Sequence, residues 1–222
     1  MINIFVGYDK LEPVLYHVCS NSIIRRSSEP VSITPLSTGT LSNYNVSRRD
    51  GSNDFVYSRF LVPELMNYTG WAIFIDGDMI VNDDITKLYD LRDESKAVQV
   101  IKHDYKTKSN VKYLGNVNED YPRKNWSSVI LWNCAHPANR SLSWDLVERQ
   151  TGRYLHRFCW LNDDLIGELP KEWNWLADEY GSNDNAKLIH YTLGAPCFLE
   201  YANTEMSELW HSEFLHTTYV KQ

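Results

Sequence analysis

Apolar residues fall along this chain in short dense runs separated by longer polar stretches. Ile2–Val6 is continuously apolar and rich in β-branched side chains, as expected of a strand buried on both faces. After Gly7-Tyr8-Asp9 the period changes. Leu11, Val14, Leu15, Val18, Cys19, Ile23 and Ile24 fall near one face of a helical repeat. Asp9 is read as its N-cap, and Pro13 sits in the first turn, where a missing N–H costs nothing. Val31–Leu36 reads as a second strand, so the chain opens strand–helix–strand, as an open α/β sheet does.

Ser37–Asp54 is polar, without a sustained period, and is expected to be a long surface loop. Tyr57–Met66 reads as a helix limited by Pro63, and Trp71–Ile75 as another buried strand ending on Asp76-Gly77-Asp78. Ala97–Ile101 and Ser128–Trp132 are further strands, with the polar stretch His103–Lys124 between them. Helices are expected over Asn139–Gln150, Leu161–Glu168 and Glu205–Leu215, with a late strand at Lys187–Tyr191. No repeat or linker interrupts the pattern, and one domain over 1–222 is expected.

Composition narrows the possibilities. With 222 residues, 43% hydrophobic and 23% charged, the chain is long enough to bury a core. A net charge of −7 disfavours binding nucleic acid through a general basic surface. No apolar run approaches the roughly 18 residues of a membrane span. Met1–Gly7 runs straight into a strand without a signal-peptide pattern. Cys19, Cys134, Cys159 and Cys197 show no zinc or disulfide spacing. A cytoplasmic protein with free thiols is the expectation. The 8 Trp and 14 Tyr serve either sugar and base stacking or an aromatic core.

The sharpest chemical signal is Trp71-Ala-Ile-Phe-Ile-Asp76-Gly77-Asp78-Met79-Ile80-Val81. Residues two apart on a strand share a face, so Asp76 and Asp78 can aim two carboxylates at one point. Their repulsion is relieved by a divalent cation, and hard oxygen ligands suit Mg²⁺ or Mn²⁺. Gly77 lets a ligand approach the backbone; the plain alternative is an Asp-Gly turn ending a strand.

This segment resembles the aspartate–x–aspartate motif of nucleotide-sugar glycosyltransferases with the GT-A fold, in the form found in glycosyltransferase family 8. Tyr57-Ser58-Arg59-Phe60-Leu61, with Arg59 seventeen residues before Asp76, looks like that family's helix before the motif. The resemblance implies that Arg59 contacts the donor nucleotide; a bidentate guanidinium suits a diphosphate. Phe5-Val6-Gly7-Tyr8-Asp9 is similar to the segment that holds the base, which implicates Val6, Gly7, Tyr8 and Asp9. Ala186-Lys187-Leu188-Ile189-His190-Tyr191-Thr192 looks like the strand whose histidine is the third metal ligand. Gly194 follows, but the family's diphosphate-contacting lysine is absent from Leu193–Phe198, leaving Arg59, Arg48, Arg49 or the Gly194 backbone to replace it. Trp160-Leu161-Asn162-Asp163-Asp164 occupies the place of the segment beside the donor's anomeric carbon, so Asp163 and Asp164 are candidate catalytic groups, or else N-caps. Glu172-Trp173-Asn174-Trp175 looks like the aromatic–Asn–aromatic strand that comes next. Trp126 and Ser128 depart from the usual residues near the donor sugar, so the sugar's identity does not carry over. Candidates for stacking are Tyr8, Trp126, Trp160 and Trp173.

The resemblance therefore implies an α/β fold. It would be a single GT-A-like domain with an open, mixed, mostly parallel sheet flanked by helices. Residues 1–100 would form a nucleotide-binding half and residues 101–222 a donor-sugar and acceptor half. It implies Mn²⁺ or Mg²⁺ on Asp76, Asp78 and His190, a nucleoside diphosphate sugar donor (a UDP-sugar foremost) and a glycan or other hydroxyl acceptor. It also implies retention of configuration, with a diphosphate oxygen taking the acceptor's proton. The chain reads as a short, divergent member of bacterial or phage type. Two other readings stand beside it. One is a haloacid-dehalogenase-type phosphohydrolase with Asp76 as nucleophile, Asp78 as acid and Asp163–Asp164 as distal metal ligands. The other is a non-catalytic glycan binder.

Overall fold

The computed structural model describes residues 1–41 and 53–218. Arg48 and Arg49 lie outside them. In chain order the elements are β1 (Ile2–Gly7), α1 (Pro13–Arg26), β2 (Val31–Leu36), α2 (Val62–Leu65), β3 (Trp71–Ile75), β4 (Met79–Val81), α3 (Ile85–Tyr89), β5 (Val98–Val100), β6 (Val111–Lys112), β7 (Asn116–Val117), β8 (Val129–Asn133), α4 (Trp144–Arg149), α5 (Gly152–His156), β9 (Ile166–Glu168), β10 (Trp175–Leu176), α6 (Ala177–Tyr180), β11 (Leu188–His190) and α7 (Ser207–Thr218).

The main sheet has the order β2-β1-β3-β8-β5-β9. Its β1–β2, β1–β3 and β5–β9 pairs are parallel, and β8 alone runs against its neighbours β3 and β5. This is the mixed, mostly parallel α/β sheet expected. The continuous apolar runs are explained by cover on both faces. Side chains alternate along β3. Ala72 and Phe74 pack with Phe60, Trp132 and Phe158 under α2, α4 and α5. Ile73 and Ile75 pack with Cys19, Ile23 and Ile85 under α1 and α3. A smaller sheet, β10-β11-β4, sits over a third cluster in which α1 meets α7 through Leu15, Val18, Ile189 and Trp210. Glu213 of α7, buried, pairs with Arg25 at 2.8 Å and with Arg26, tying the last helix to the first.

Several boundaries differ from the sequence reading, each for a local reason. Asp9 does not cap α1; Glu12 occupies that place, with Pro13 at the first helical position. The Asp9 carboxylate instead accepts from the N–H groups of Leu11 (2.8 Å) and Asp54 (3.0 Å). Leu11 and Ile24 are exposed rather than on the buried face. Tyr57–Met66 is a 3₁₀ turn, Ser58–Leu61, continued by short α2, as Pro63 allows only at a helix start. Asn139–Gln150 divides into a Pro137–Ser141 turn and α4, which Ser143 caps by accepting from Leu146 N–H at 3.2 Å. Leu161–Glu168 is mainly not helical. A turn over Asp163–Leu165 leads into β9, where Gly167 packs close on the Gln99 side chain, leaving no room for a Cβ. Lys171–Asn174 is likewise a turn, ahead of β10. All four cysteines are free, and among the described residues no helix is long and apolar enough to cross a membrane.

Ile73 is fully buried in the centre of the sheet. Ile73→Ala is expected to cost about 2–5 kcal/mol, from lost transfer energy and the cavity left behind. Leu199→Ser, at a side chain 96% exposed, should stay within about 0.5 kcal/mol. Urea denaturation of both variants checks the contrast.

Candidate active site

The strand-end carboxylates meet the late histidine because of one register. β11 runs antiparallel to β4 with His190 opposite Met79, and the Tyr191 N–H reaches the Asp78 carbonyl at 3.3 Å. Asp76 continues the β3–β8 pairing, its N–H donating to the Ser128 carbonyl at 3.0 Å. One ligand atom from each of Asp76, Asp78 and His190 lies within 4.8 Å of the others, and among the described residues this is the one such cluster.

Gly77 is required by packing rather than by ligand approach. A Cβ there would lie 2.5 Å from the Gly7 carbonyl oxygen, so the ends of β1 and β3 meet backbone to backbone. Gly7 in turn faces the Phe55 ring, and Gly194 the Tyr201 ring, too closely for any Cβ.

Arg59 is buried between the Phe55 and Phe74 rings, its guanidinium 5.3 and 4.9 Å from their centroids. Its Nη1 donates to the Ser127 carbonyl at 2.9 Å and lies 2.7 Å from Asp76 Oδ1. Burial pushes the Asp76 carboxyl up, to about 6; Arg59 opposes that and Asp78 adds to it. Burial also opposes ionisation of Asp78, but His190 and Lys112 outweigh it and hold its carboxyl below the ordinary range.

The His190 tautomer follows from its partners. Ser128 Oγ donates to the Asn125 carbonyl (2.7 Å) and accepts from Asn174 Nδ2 (2.7 Å). Asn174 Oδ1 is then left for His190 Nδ1 at 2.9 Å, which must donate. In the neutral ring the Nε2 lone pair then faces Asp78 Oδ1 at 3.4 Å, whereas in the imidazolium that lowers the Asp78 carboxyl the same nitrogen donates to it. Asp78 Oδ1 is buried without a hydrogen bond, whereas Asp76 Oδ1 has the Arg59 guanidinium as its partner. A neutral imidazole lone pair facing a carboxylate is unfavourable until a cation, a proton or a metal ion, joins them. Three such donors, two hard oxygens and one imidazole with its other nitrogen fixed, fit a divalent metal ion.

These groups line a cavity of about 540 Å³, within the range of small-molecule sites. Arg59, Asp76, Asp78 and His190 are brought together there. Tyr8 packs edge-on against Tyr16, and Asp9 holds backbone N–H groups beside the cavity. Val6 is a core side chain of β1. Asp163 and Asp164 are not among the lining residues. The Asp163 side chain is 84% exposed and paired with Arg123 at 2.6 Å, while Asp164 offers its carbonyl to Lys96. Among the stacking candidates, Trp160 lies on Trp132 in the core and Trp173 is buried there. Trp126 donates its indole N–H to the His103 carbonyl. The aromatics that do line the cavity are Tyr57, Tyr113 and Tyr121. Sequence reasoning missed them, together with Lys112, Arg153, His156 and Arg157, because they come from short or irregular segments without a motif.

The mixed, mostly parallel sheet flanked by helices is that of the GT-A fold. The match to the family model described as glycosyl transferase family 8 runs over residues 15–195, and this chain belongs to that family. It is 44% identical over 219 residues to Protein CDI of Arabidopsis thaliana, an alignment covering 95% of this chain and 85% of that plant protein. Among solved structures it is similar to GlyE of Streptococcus pneumoniae TIGR4, with a TM-score of 0.65, 14% identity, and 97% of this chain on 61% of that one. The galactosyltransferase LgtC, solved with donor and acceptor sugar analogues, gives 0.59 and 12% identity over 100% and 98% of the two chains. The bifunctional glycosyltransferase WbbM gives 0.59 and 17% identity over 98% of this chain and 50% of that one. The chain thus spans only half to three fifths of WbbM and GlyE. At these identities the structural likeness shows the fold.

Two expectations follow from the geometry. Asn174→Ala frees the His190 ring, and should weaken Mn²⁺ binding about 10–100-fold by calorimetric titration while the far-ultraviolet spectrum is kept. His103 and His156 are both driven down to about 3, chiefly by burial. Each binds its proton more weakly folded than unfolded, so the stability it leaves intact above pH 6.5 is lost as pH falls toward 3. Urea midpoints should fall across that window, and less steeply in His103→Gln.

Proposed function

We propose that this protein is a metal-dependent glycosyltransferase that moves a sugar from a nucleoside diphosphate donor, a UDP-sugar foremost, to a hydroxyl acceptor with retention of configuration. The observation that carries the reading is the convergence of two largely buried carboxylates and an imidazole, its Nδ1 engaged by Asn174, within 4.8 Å of one another on one side of a cavity of ligand size. Family membership supports glycosyl transfer as the reaction class.

Asp76, Asp78 and His190 would hold Mn²⁺ or Mg²⁺. When bound, that ion supplies positive charge to offset the negative charge developing on the departing diphosphate. Arg59 lines the cavity and holds Asp76 through Nη1, which also donates to the Ser127 carbonyl. Asn174 keeps the His190 Nε2 lone pair directed at the site. Tyr57, Tyr113 and Tyr121 offer ring faces and edges to a base or sugar. The segment through β5 would serve the nucleotide and the remainder the sugar and acceptor. The proposal assigns no chemical step to Asp163 or Asp164.

The phosphohydrolase reading needs Asp163 and Asp164 as metal ligands beside Asp76, and neither belongs to the cluster formed by Asp76, Asp78 and His190. A glycan binder without catalysis has no use for that cluster.

A thermal-shift screen of nucleoside diphosphates and their sugars, with and without Mn²⁺, tests the proposal, since binding to the folded state alone raises the transition. A metal-dependent shift with at least one donor is expected, with hydrolysis or transfer of its sugar. Asp78→Ala should abolish the shift. No binding or turnover of any nucleotide sugar, or unchanged donor binding in Asp78→Ala, would overturn it. Metal-independent glycan binding would point to the non-catalytic alternative.

A further inference from the structure

The hairpin β6–β7 is a minor element by size, yet it carries a cation into the cavity. Val111 pairs with Val117 and Lys112 with Asn116, around a tight turn at Tyr113–Gly115. The turn does not hang free. Tyr113 N–H donates to the Leu193 carbonyl at 2.6 Å, and the Tyr113 ring stacks on Phe198 with centroids 5.6 Å apart. Asn116 Nδ2 closes the turn on the Tyr113 carbonyl at 3.0 Å. The hairpin is thereby fastened to the segment that follows His190, and Lys112 is held in the wall of the same cavity as Asp76 and Asp78.

Lys112 is half-buried there, and its charge is felt by Asp78. Among the described residues no carboxylate lies within ion-pair distance of it; Arg59, by contrast, is already bound to Asp76. Thr192, on the clamped segment, lines both the main cavity and a side cavity of about 80 Å³, and so does Lys112. Thr192 Oγ1 is buried with no hydrogen-bond partner. An unpaired ammonium and an unpartnered hydroxyl on one wall are complementary to an anion. On the same cavity surface lies a cluster suited to a cation. A ligand that satisfies both must present several anionic oxygens, some to a metal and some to hydrogen-bond donors. A diphosphate does so, and a neutral sugar does not.

Resting on the donor class given above, we propose that Lys112, assisted by the Thr192 hydroxyl, holds the donor's diphosphate from the hairpin side of the cavity. Lys112 is a positioning and binding residue: its ammonium donates to phosphate oxygens and takes no proton from substrate. The hairpin therefore has to be docked on Leu193 and Phe198 for the donor to be held.

The test is calorimetric titration of the full chain with UDP in the presence of Mn²⁺, and with uridine as the phosphate-free control. Lys112→Met keeps most of the side-chain stem and removes the charge. It should weaken UDP–Mn²⁺ binding about tenfold or more, the size expected of one charge-assisted contact. Mn²⁺ binding alone should not weaken, since removing a nearby ammonium lessens repulsion of the ion, and uridine binding should be unchanged. The wild-type affinity should fall more steeply with salt than that of Lys112→Met. Lys112→Arg should recover most of the loss, which a role in hairpin folding alone does not predict. Thr192→Val should weaken UDP binding by a smaller factor. Unchanged UDP–Mn²⁺ affinity in Lys112→Met, or equal loss of uridine and UDP binding, would overturn the assignment while leaving the donor class intact. Failure of the wild-type protein to bind any nucleoside diphosphate with Mn²⁺ would overturn the donor class, and this assignment with it.

Discussion

Two carboxylates two residues apart, turned inward at the end of a buried strand, impose the central constraint on this molecule. Each is opposed by burial, and each raises the cost of ionising the other. The surrounding structure supplies the compensation. Arg59 is sandwiched by two phenyl rings and pressed against Asp76, and His190 is set against Asp78. Even so, Asp78 Oδ1 is left without a hydrogen bond. A buried pair of this kind contributes little to folding and is retained for what it binds.

The rest of the site depends on elements that hold those groups still. Asn174 is tied to Ser128 and to the Asn125 carbonyl, so the His190 ring has one orientation and one tautomer. Ser128 stands where the antiparallel β8 meets the end of β3, which ties the Asn174–His190 pair directly to the sheet. The Gly7–Gly77 contact brings the ends of β1 and β3 to touching distance. Each of these is a backbone or amide contact rather than an exposed ion pair, and each is therefore insensitive to salt.

Charge has two distinct uses in this protein. Over the whole chain the balance is negative, −7, and it works against polyanionic polymers as general ligands. Within the cavity the sign is mixed: Asp76 and Asp78 on one side, with Lys112, Arg153 and Arg157 also in its lining. A compact ligand carrying its own cation suits that arrangement, and a long polyanion does not.

What the sequence determined by itself was the part governed by local pattern. The buried strands β1, β3 and β8 were legible as apolar runs, and helix α1 as a period. The Asp76–Asp78 pair was legible because strand alternation puts residues two apart on one face. His190 was legible through its place after a late strand. Less regular segments were misread, Asp9 as a helix cap and Leu161–Glu168 as a helix, and Asp163 and Asp164 stand outside the cavity lining. In short polar stretches, capping, turn and ligand roles draw on the same residue types, and local pattern does not separate them. Tertiary structure alone decided that Asn174 orients the His190 ring, that Arg59 pairs with Asp76, and that Lys112 lines the cavity. Those facts depend on the β11–β4 register and on a hairpin clamped to a segment about eighty residues away. Contacts of that range are set by packing and loop closure, for which the chain carries no local signal.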